Sequence, residues 1–297
     1  MGNVFNALKK ARQESVISRG DDEPAVPAEK VTQQDSVEQV PVDKPAGRER
    51  PEPAKKVSRV LEQGSWDERL IKATGVSSSV AESFRTLRTK ILHPESGNPI
   101  RKVLVTSAVP GEGKSFVCAN MAVSFAQGVD HHALMVNCDL RKPSLEKMFG
   151  LSNDEGLVNY LRDKTEIGSL ITEVGVNKLS LLPAGPPPVN PAELLGSDRM
   201  EQLVDELAGR YDDRVVFFDS PPLQVASETA VLAKYVDGIV LVVRWGASRR
   251  EYVQSLVEQL GKSNIIGIVF NAYKSTIVDN KVFGSYEYQK ESYYVEK

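Results

Sequence analysis

Short apolar runs alternate with amphipathic stretches over most of the chain after residue 101. The runs cover residues 102–108, 133–139, 179–185, 214–220, 238–244 and 264–270. Their richness in Val, Ile and Leu is typical of strands buried on both faces of a parallel sheet. Helical patterns lie between most of them, at 115–128, 191–209, 226–235 and 249–261. This alternation predicts an α/β fold with a doubly wound, mostly parallel sheet, in which ligands bind beyond the C-terminal strand ends.

The N-terminal quarter of the chain has a different pattern. Residues 1–18 contain one short amphipathic stretch, which predicts either a helix that docks on a membrane or partner, or a frayed, solvated helix. Residues 19–75 are rich in Pro, Glu and Lys and lose periodicity, which predicts a disordered linker. We therefore expect a folded domain over 76–272 and a flexible tail over 273–297.

Composition and charge exclude several classes of function. The formal net charge is −3, from 37 basic and 40 acidic residues, which argues against a general nucleic-acid binder. No apolar run approaches the roughly 20 residues that span a bilayer, and the first residues do not match a secretory signal. The two cysteines, Cys118 and Cys138, fall within predicted buried structure, so we expect a reduced, cytoplasmic protein.

A phosphate-binding loop follows the first predicted strand, in the segment AVPGEGKSF. The pattern G-x-x-x-x-G-K-[ST] matches at Gly113, Lys114 and Ser115, with Ala108 in place of the first glycine. Lys114 would neutralise nucleotide phosphates, and the Ser115 hydroxyl would ligate Mg²⁺. The predicted nucleotide-binding residues are Pro110, Gly111, Glu112, Gly113, Lys114, Ser115 and Phe116.

Two aspartates stand at the ends of predicted strands. Asp139 ends the second strand, and Asp219 ends the fourth, where two prolines follow. Each alone could be a helix N-cap, but two carboxylates near a phosphate loop are what Mg²⁺ needs. We therefore predict that Ser115, Asp139 and Asp219 hold a metal ion. The predicted catalytic residues are Lys114, Asp139, Asp219 and Arg141, the last as a partner for phosphate or a carboxylate.

Five of the nine tyrosines lie at or after Tyr273, and four fall in the last twelve positions. These four are Tyr286, Tyr288, Tyr293 and Tyr294, interleaved with charged residues and without a period that would bury the rings. An edge strand, a partner-binding tail and a set of phosphorylation sites are all consistent with this pattern.

Residues 77–297 resemble the bacterial tyrosine kinases, the cytoplasmic autokinases tied to export of capsular polysaccharide and exopolysaccharide. The resemblance rests on SAVPGEGKS, NCDLRKP, FFDSPP, LLPAGPPPVNPAELL and the tyrosine-rich tail. The family's E-x-x-R-x-x-R helix matches Glu82, Arg85 and Arg88. The resemblance implies a P-loop NTPase fold of the MinD/ParA-like class.

The resemblance also implies a function. ATP and Mg²⁺ would be the cofactors, and Tyr273 and the four tail tyrosines would be acceptors in a neighbouring subunit's active site. Glu82, Arg85 and Arg88 would form the interface of a homo-oligomeric ring. A membrane chain-length-determinant protein (a polysaccharide co-polymerase) would activate the kinase at the inner face of the cell membrane. No nucleic-acid partner is expected.

One residue departs from the family pattern. The second motif is usually D-x-D, but here it reads Asn137-Cys138-Asp139, and an amide cannot take a proton at neutral pH. We therefore expect a slowed kinase, with an ATP-binding regulator of weak or absent kinase activity as the alternative. A MinD/ParA-like ATPase is a further alternative, although Val109 stands where those proteins carry a signature lysine.

Overall fold

The computed structural model describes residues 66–75, 78–94, 97–209 and 213–273. Seven strands lie in this part of the chain and form one sheet in the order β3-β4-β2-β5-β1-β6-β7. They are β1 (Lys102–Ser107), β2 (His132–Asn137), β3 (Thr172–Glu173), β4 (Leu179–Leu182), β5 (Arg214–Asp219), β6 (Gly238–Arg244) and β7 (Ile265–Asn271). All pairings are parallel except that of the short β3 with β4.

Helices cover both faces of this sheet, as the doubly wound prediction requires. Those in the described residues are α1 (Glu68–Thr74), α2 (Ser79–Leu92), α3 (Lys114–Ala126), α4 (Leu145–Met148), α5 (Leu157–Asp163), α6 (Ile167–Leu170), α7 (Pro191–Leu195), α8 (Asp198–Gly209), α9 (Glu228–Leu232) and α10 (Arg250–Leu260). Among the described residues, none of these helices combines the length and the hydrophobicity that a membrane span requires.

Alternate residues of the central strands point into two separate cores. Val103 and Val105 of β1 pack with α1, α2 and α3, whereas Leu104 packs with α5, α8 and α10 on the opposite face. Because strand side chains alternate, an apolar residue at every position is required when both faces are covered. Cys118 and Cys138 are free thiols buried in these cores.

The start of the folded part differs from the prediction. Trp66 is buried, its ring meets Phe149 edge to face with centroids 5.0 Å apart, and its indole nitrogen donates to the Val174 carbonyl at 2.9 Å. Leu70 of α1 is fully buried as well. The prediction of a linker through residue 75 is therefore wrong for residues 66–74, which belong to the folded domain. A lone tryptophan before a single short helix gives no periodic pattern. The linker prediction therefore followed the composition of the segment and missed these residues.

The other differences concern short elements. The predicted helix over 191–209 is two helices, α7 and α8, separated at Gly196 and Ser197. The two-residue β3 and the short helices α4 to α6 were not predicted, because elements of this length show too little periodicity. The predicted helix within residues 1–18 and the four tyrosines of the last twelve positions lie outside the described residues.

Candidate active site

The phosphate loop connects β1 to the N-terminus of α3, as predicted. Gly111 and Gly113 have φ angles of 83° and 91°, a left-handed backbone that residues with side chains rarely adopt. A Cβ on Gly113 would also lie 2.0 Å from the amide nitrogen of Asn271. Glycine is therefore required here, and the backbone N–H groups that lead into α3 are free to surround an anion.

The strand ends bring the two predicted aspartates to this loop. Asn137, at the end of β2, is paired in register with Asp219, at the end of β5, and the backbone N–H of Cys138 donates to the Asp219 carbonyl at 2.8 Å. Asp139 follows directly, and its Oδ2 lies 2.8 Å from Nζ of Lys114. The structure thus places Lys114, Asp139 and Asp219 together, as the sequence analysis predicts.

Burial controls the charges of these groups. Desolvation raises the pKa of Asp219 to about 6, although the charge of Lys114 and the nearby Ser115 hydroxyl both act to lower it. Burial likewise opposes the charged form of Lys114, but the charges of Asp219 and Asp139 leave its pKa raised overall. One fixed positive charge therefore lies beside two carboxylates, and the carboxylate of Asp219 is held in a poorly solvated place.

The donor set fits a hard divalent cation. Both carboxylate oxygens of Asp219 are buried, and neither has a partner of normal hydrogen-bond geometry among the described residues. Unpaired buried carboxylate oxygens are costly unless a cation or water completes them. The neighbouring Ser115 hydroxyl is buried and accepts a hydrogen bond from Ser144 at 3.1 Å. No group of three or more His, Cys, Asp or Glu side chains forms a metal site by itself in the described residues. Mg²⁺ is commonly bound by one or two carboxylates together with substrate phosphates, and a nucleotide bound at this loop would supply those phosphates.

Glu112 holds the phosphate loop from inside the protein. Its Oε2 accepts from the backbone N–H of Val109 at 2.9 Å, and its Oε1 accepts from the Ser248 hydroxyl. Its carbonyl accepts from the Asn271 amide at 2.8 Å, and Arg244 donates to the Gly111 carbonyl at 3.0 Å. The side chain of Glu112 ties the loop to the end of β6, and its carbonyl ties the loop to the end of β7. The prediction of nucleotide binding by Glu112 therefore concerns its backbone N–H.

The remaining loop residues differ in exposure. Pro110 and Gly111 are exposed, whereas Phe116 is half-buried in the first turn of α3. Asn271, Ser248 and Arg244 were not identified from the sequence, because each is more than 130 positions from the loop residue that it contacts.

Arg141 lies in the loop after β2, and its side chain is bound to another carboxylate. Its Nε donates to Oε1 of Glu228 at 2.7 Å, and Glu228 is fully buried at the start of α9. The structure thus places a carboxylate partner on Arg141, one of the two alternatives from the sequence. A direct catalytic role for Arg141 stays a prediction.

Asn137 is fully buried and takes part in a network that the sequence did not reveal. Its Nδ2 donates to both carboxylate oxygens of Glu146, at 2.8 and 2.9 Å, and its Oδ1 accepts from the backbone N–H of Asp139 at 3.1 Å. Glu146 is 1% exposed. The sequence signal was an acidic residue in the segment SLEKMF, at a position typical of the surface of a short helix.

The predicted interface helix makes contacts within the chain. Glu82 and Arg85 form an ion pair at 2.6 Å, and Arg88 donates to the Ser124 carbonyl near the C-terminus of α3. Their role in assembly stays a prediction. Of the predicted acceptors, Tyr273 is described, and its half-exposed ring meets Trp245 edge to face with centroids 5.0 Å apart.

Comparisons with known proteins support the kinase prediction. No protein-family model matches this chain. The chain is 37% identical over 207 residues to the tyrosine-protein kinase YwqD of Bacillus subtilis, a match that covers 69% of this chain and 86% of YwqD. The solved kinase domain of the Escherichia coli tyrosine kinase ETK is 30% identical, with a TM-score of 0.63 over 70% of this chain and 82% of that domain.

A second solved structure agrees. The chimerical protein CapA2B2 is 29% identical, with a TM-score of 0.65 over 73% of this chain and 95% of that protein. The predicted fold class and the prediction of a protein-tyrosine kinase are confirmed, and such kinases use a nucleotide, generally with Mg²⁺. The motifs SAVPGEGKS, NCDLRKP and FFDSPP indicated a family, and the comparisons show the same one. This chain belongs to the bacterial tyrosine kinases.

Proposed function

We propose that this kinase transfers the γ-phosphoryl group of ATP to tyrosines in the tail of a neighbouring copy of itself. The observation that carries the proposal is the placement of Lys114 against Asp139, beside the buried Asp219, at a loop whose glycines leave backbone N–H groups free. Such a site holds a polyphosphate and a cation together, which phosphoryl transfer needs.

Each residue of the site has a separate task in this proposal. The backbone N–H groups of the loop bind phosphate oxygens, and the positive end of α3 strengthens that binding. Lys114 balances the charge of the transferred group. Ser115, Asp139 and Asp219 would hold Mg²⁺, which neutralises charge on the phosphate oxygens when it is bound. The two unpaired oxygens of Asp219 favour this assignment.

The tyrosine hydroxyl does not require a base at position 137. Both ends of the Asn137 amide are occupied, by Glu146 and by the backbone of Asp139. Phosphoryl transfer passes through a loose transition state that depends mainly on positioning and electrostatics. The phenol oxygen therefore bonds to the γ-phosphorus while the bond from that phosphorus to the ADP oxygen breaks, and the phenol proton passes to an oxygen of the transferred group or to water. A residue that positions the reactants then suffices.

The proposed acceptors are the tyrosines at and after position 273. They are Tyr273, Tyr286, Tyr288, Tyr293 and Tyr294. Each phosphorylation would add close to two negative charges among existing glutamates, and the resulting repulsion would loosen contacts with any acidic surface. This charge accumulation would weaken the proposed ring, in which Glu82, Arg85 and Arg88 contact the next subunit.

We further propose a cellular setting from the family resemblance. The kinase would act at the inner face of the cell membrane, where a chain-length-determinant protein activates it, and would regulate the polymerisation and export of an exopolysaccharide. The amphipathic segment at 1–18 and the linker after it would tether the kinase domain to that partner. The alternative is a nucleotide-binding regulator, which Asn137 favours.

Intact mass spectrometry tests the kinase proposal. Purified protein is measured before and after incubation with MgATP, alongside Lys114→Met and the exposed control Lys262→Met. We expect several phosphoryl increments in the wild type and the control, and none in Lys114→Met. Replacement of all five tail tyrosines by Phe should remove the increments and leave ADP affinity unchanged. Equal phosphorylation of Lys114→Met would refute the site, and ADP binding without phosphorylation would support the regulator.

A further inference from the structure

A continuous line of buried hydrogen bonds runs beside the phosphate site. It begins at the backbone N–H of Ala184, which donates to Oε1 of Glu146 at 2.7 Å. The Asn137 amide donates to both oxygens of the same carboxylate, and its own oxygen accepts from the backbone of Asp139. The carboxylate of Asp139 then meets Lys114 at 2.8 Å. Four segments of the chain are thereby connected to the site.

Glu146 determines the orientation of the Asn137 amide. An ionised carboxylate can only accept hydrogen bonds, so the NH₂ end of the amide must face Glu146. The carbonyl end is then directed to the backbone of Asp139. Because Asn137 and Glu146 are 0% and 1% exposed, water cannot readily replace either partner. The backbone position of Asp139 therefore depends on a carboxylate that does not reach the reaction centre.

We propose that Glu146 is a positioning residue for phosphoryl transfer, and that it carries the buried negative charge that a D-x-D motif would place at residue 137. The proposal rests on the kinase function proposed above. Through Asn137, Glu146 fixes the loop that presents Asp139 to Lys114. Through Ala184 it also fixes the end of the segment LLPAG, so one side chain sets the relative positions of two loops.

The hydrogen bonds between Asn137 and Glu146 predict which single substitutions disrupt the network. Asn137→Asp would place two acceptor-only carboxylates at hydrogen-bond distance, where they repel. Glu146→Gln would direct its NH₂ group either at the NH₂ of Asn137 or at the N–H of Ala184, so two donors would meet. Such mismatched buried polar groups are destabilising, because each loses its partner in a place that water does not reach.

The exchange of both residues restores three of the four hydrogen bonds, because the oxygen of residue 146 that accepts from Ala184 no longer receives a donor from residue 137. In the double variant Asn137→Asp/Glu146→Gln, the glutamine NH₂ donates to the aspartate and the glutamine oxygen accepts from Ala184. The other aspartate oxygen accepts from the Asp139 backbone. The net charge of the protein is unchanged, and only the position of the buried carboxylate moves.

The experiment compares wild type, both single variants and the double variant in the full-length protein. The autophosphorylation rate at saturating ATP, the KM for ATP and the urea midpoint of the nucleotide-free protein are measured. We expect each single variant to lose about tenfold or more in maximal rate, with KM changed less than about threefold, and the double variant to regain part of that rate. Leu256→Ala, in the core on the opposite face, is the control for lost stability alone.

A further readout does not depend on catalysis. The increase in ADP affinity on adding Mg²⁺ reports whether Asp139 is correctly presented. It should shrink in both single variants, return in the double variant and remain in Leu256→Ala. If the wild type never phosphorylates itself, the kinase proposal fails, and this readout still decides the role of Glu146. Single variants that behave like Leu256→Ala, or a double variant no better than the singles, would overturn the proposal.

Discussion

Asp219 is the residue for which function and stability should oppose each other most clearly. It is completely buried at the end of β5, and neither of its carboxylate oxygens has a partner of normal hydrogen-bond geometry among the residues described, although the Ser115 hydroxyl is close enough to lower its pKa. Desolvation raises its pKa from 3.8 to about 6. A carboxylate that would be better solvated in the unfolded chain is thus retained where phosphates and a cation would bind. We predict that Asp219→Asn stabilises the protein without nucleotide and abolishes phosphoryl transfer.

The size and sign of the effect follow from the pKa. A pKa of about 6 in the folded state against 3.8 in the unfolded state corresponds to about 3 kcal/mol. Because the folded pKa is the higher one, the contribution of Asp219 to stability is fully present below about pH 3.8 and is lost as the pH rises through about 6. Asparagine removes this loss, so Asp219→Asn should gain up to about 3 kcal/mol at pH 8. The attraction of Lys114 lowers the pKa of Asp219 and is therefore already included in this value.

Urea unfolding in the presence of a chelator measures the prediction. The free energy of unfolding is compared between wild type and Asp219→Asn at pH 8 and at pH 5, with exposed Asp154→Asn as the matched control. The advantage of Asp219→Asn should be largest at pH 8 and smaller at pH 5, and the control should show no such trend. With saturating MgADP the advantage should shrink or reverse, because a ligand stabilises the form that binds it.

Two outcomes would contradict this reasoning. If Asp219→Asn were less stable than wild type at pH 8 without nucleotide, the carboxylate would have a stabilising partner that the geometry does not show. If the stability difference were the same at both pH values, ionisation of Asp219 would not be the cause. The rate of autophosphorylation should meanwhile fall by at least about 100-fold, since removing a single charge-stabilising group from an active site has an effect of this size.

Two further predictions concern glycines. Gly113→Ala should weaken ADP binding, because its Cβ would lie 2.0 Å from the Asn271 amide and displace it from the Glu112 carbonyl. Gly111→Ala, with a similar φ but no atom within 4 Å of its Cβ, should weaken binding less. Calorimetry with ADP compares the two, and equal affinities would contradict the prediction. Gly156→Ala should destabilise the fold by about 2 kcal/mol or more, because its Cβ would lie 2.2 Å from the Pro183 carbonyl, and a urea midpoint equal to that of wild type would show that the backbone adapts.

The central sheet and the phosphate site could be predicted because both depend on local patterns. An apolar run is buried on both faces wherever it lies in a parallel sheet, and residues directly after such runs meet at one edge. Lys114 was therefore predicted from the phosphate-loop motif that follows the first strand, and Asp139 and Asp219 from their places at the ends of two other strands. The prediction required no knowledge of the strand order, in which β5 lies between β1 and β2.

The supporting residues could not be predicted, because their roles come from contacts between distant segments. Glu146 acquires its role only once α4 lies under the end of β2, and Glu228 only once α9 reaches Arg141. The sequence showed two ordinary acidic residues in short helical segments. The sequence identified Asn137 as a departure from the family motif. Its role depends on Glu146, a buried partner nine positions away, and no hydrophobic periodicity in the sequence indicates where that partner lies.

The burial of Trp66 has a practical consequence for preparing the kinase domain. A truncation at residue 76, where composition alone places the domain boundary, would remove Trp66 and Leu70 together with the whole of α1. The apolar face that they cover, including Phe149 and part of α3, would then be in contact with solvent. Exposed patches of this kind promote aggregation. A soluble recombinant domain should therefore begin before Trp66, and a limit protease fragment of the intact chain should retain this tryptophan.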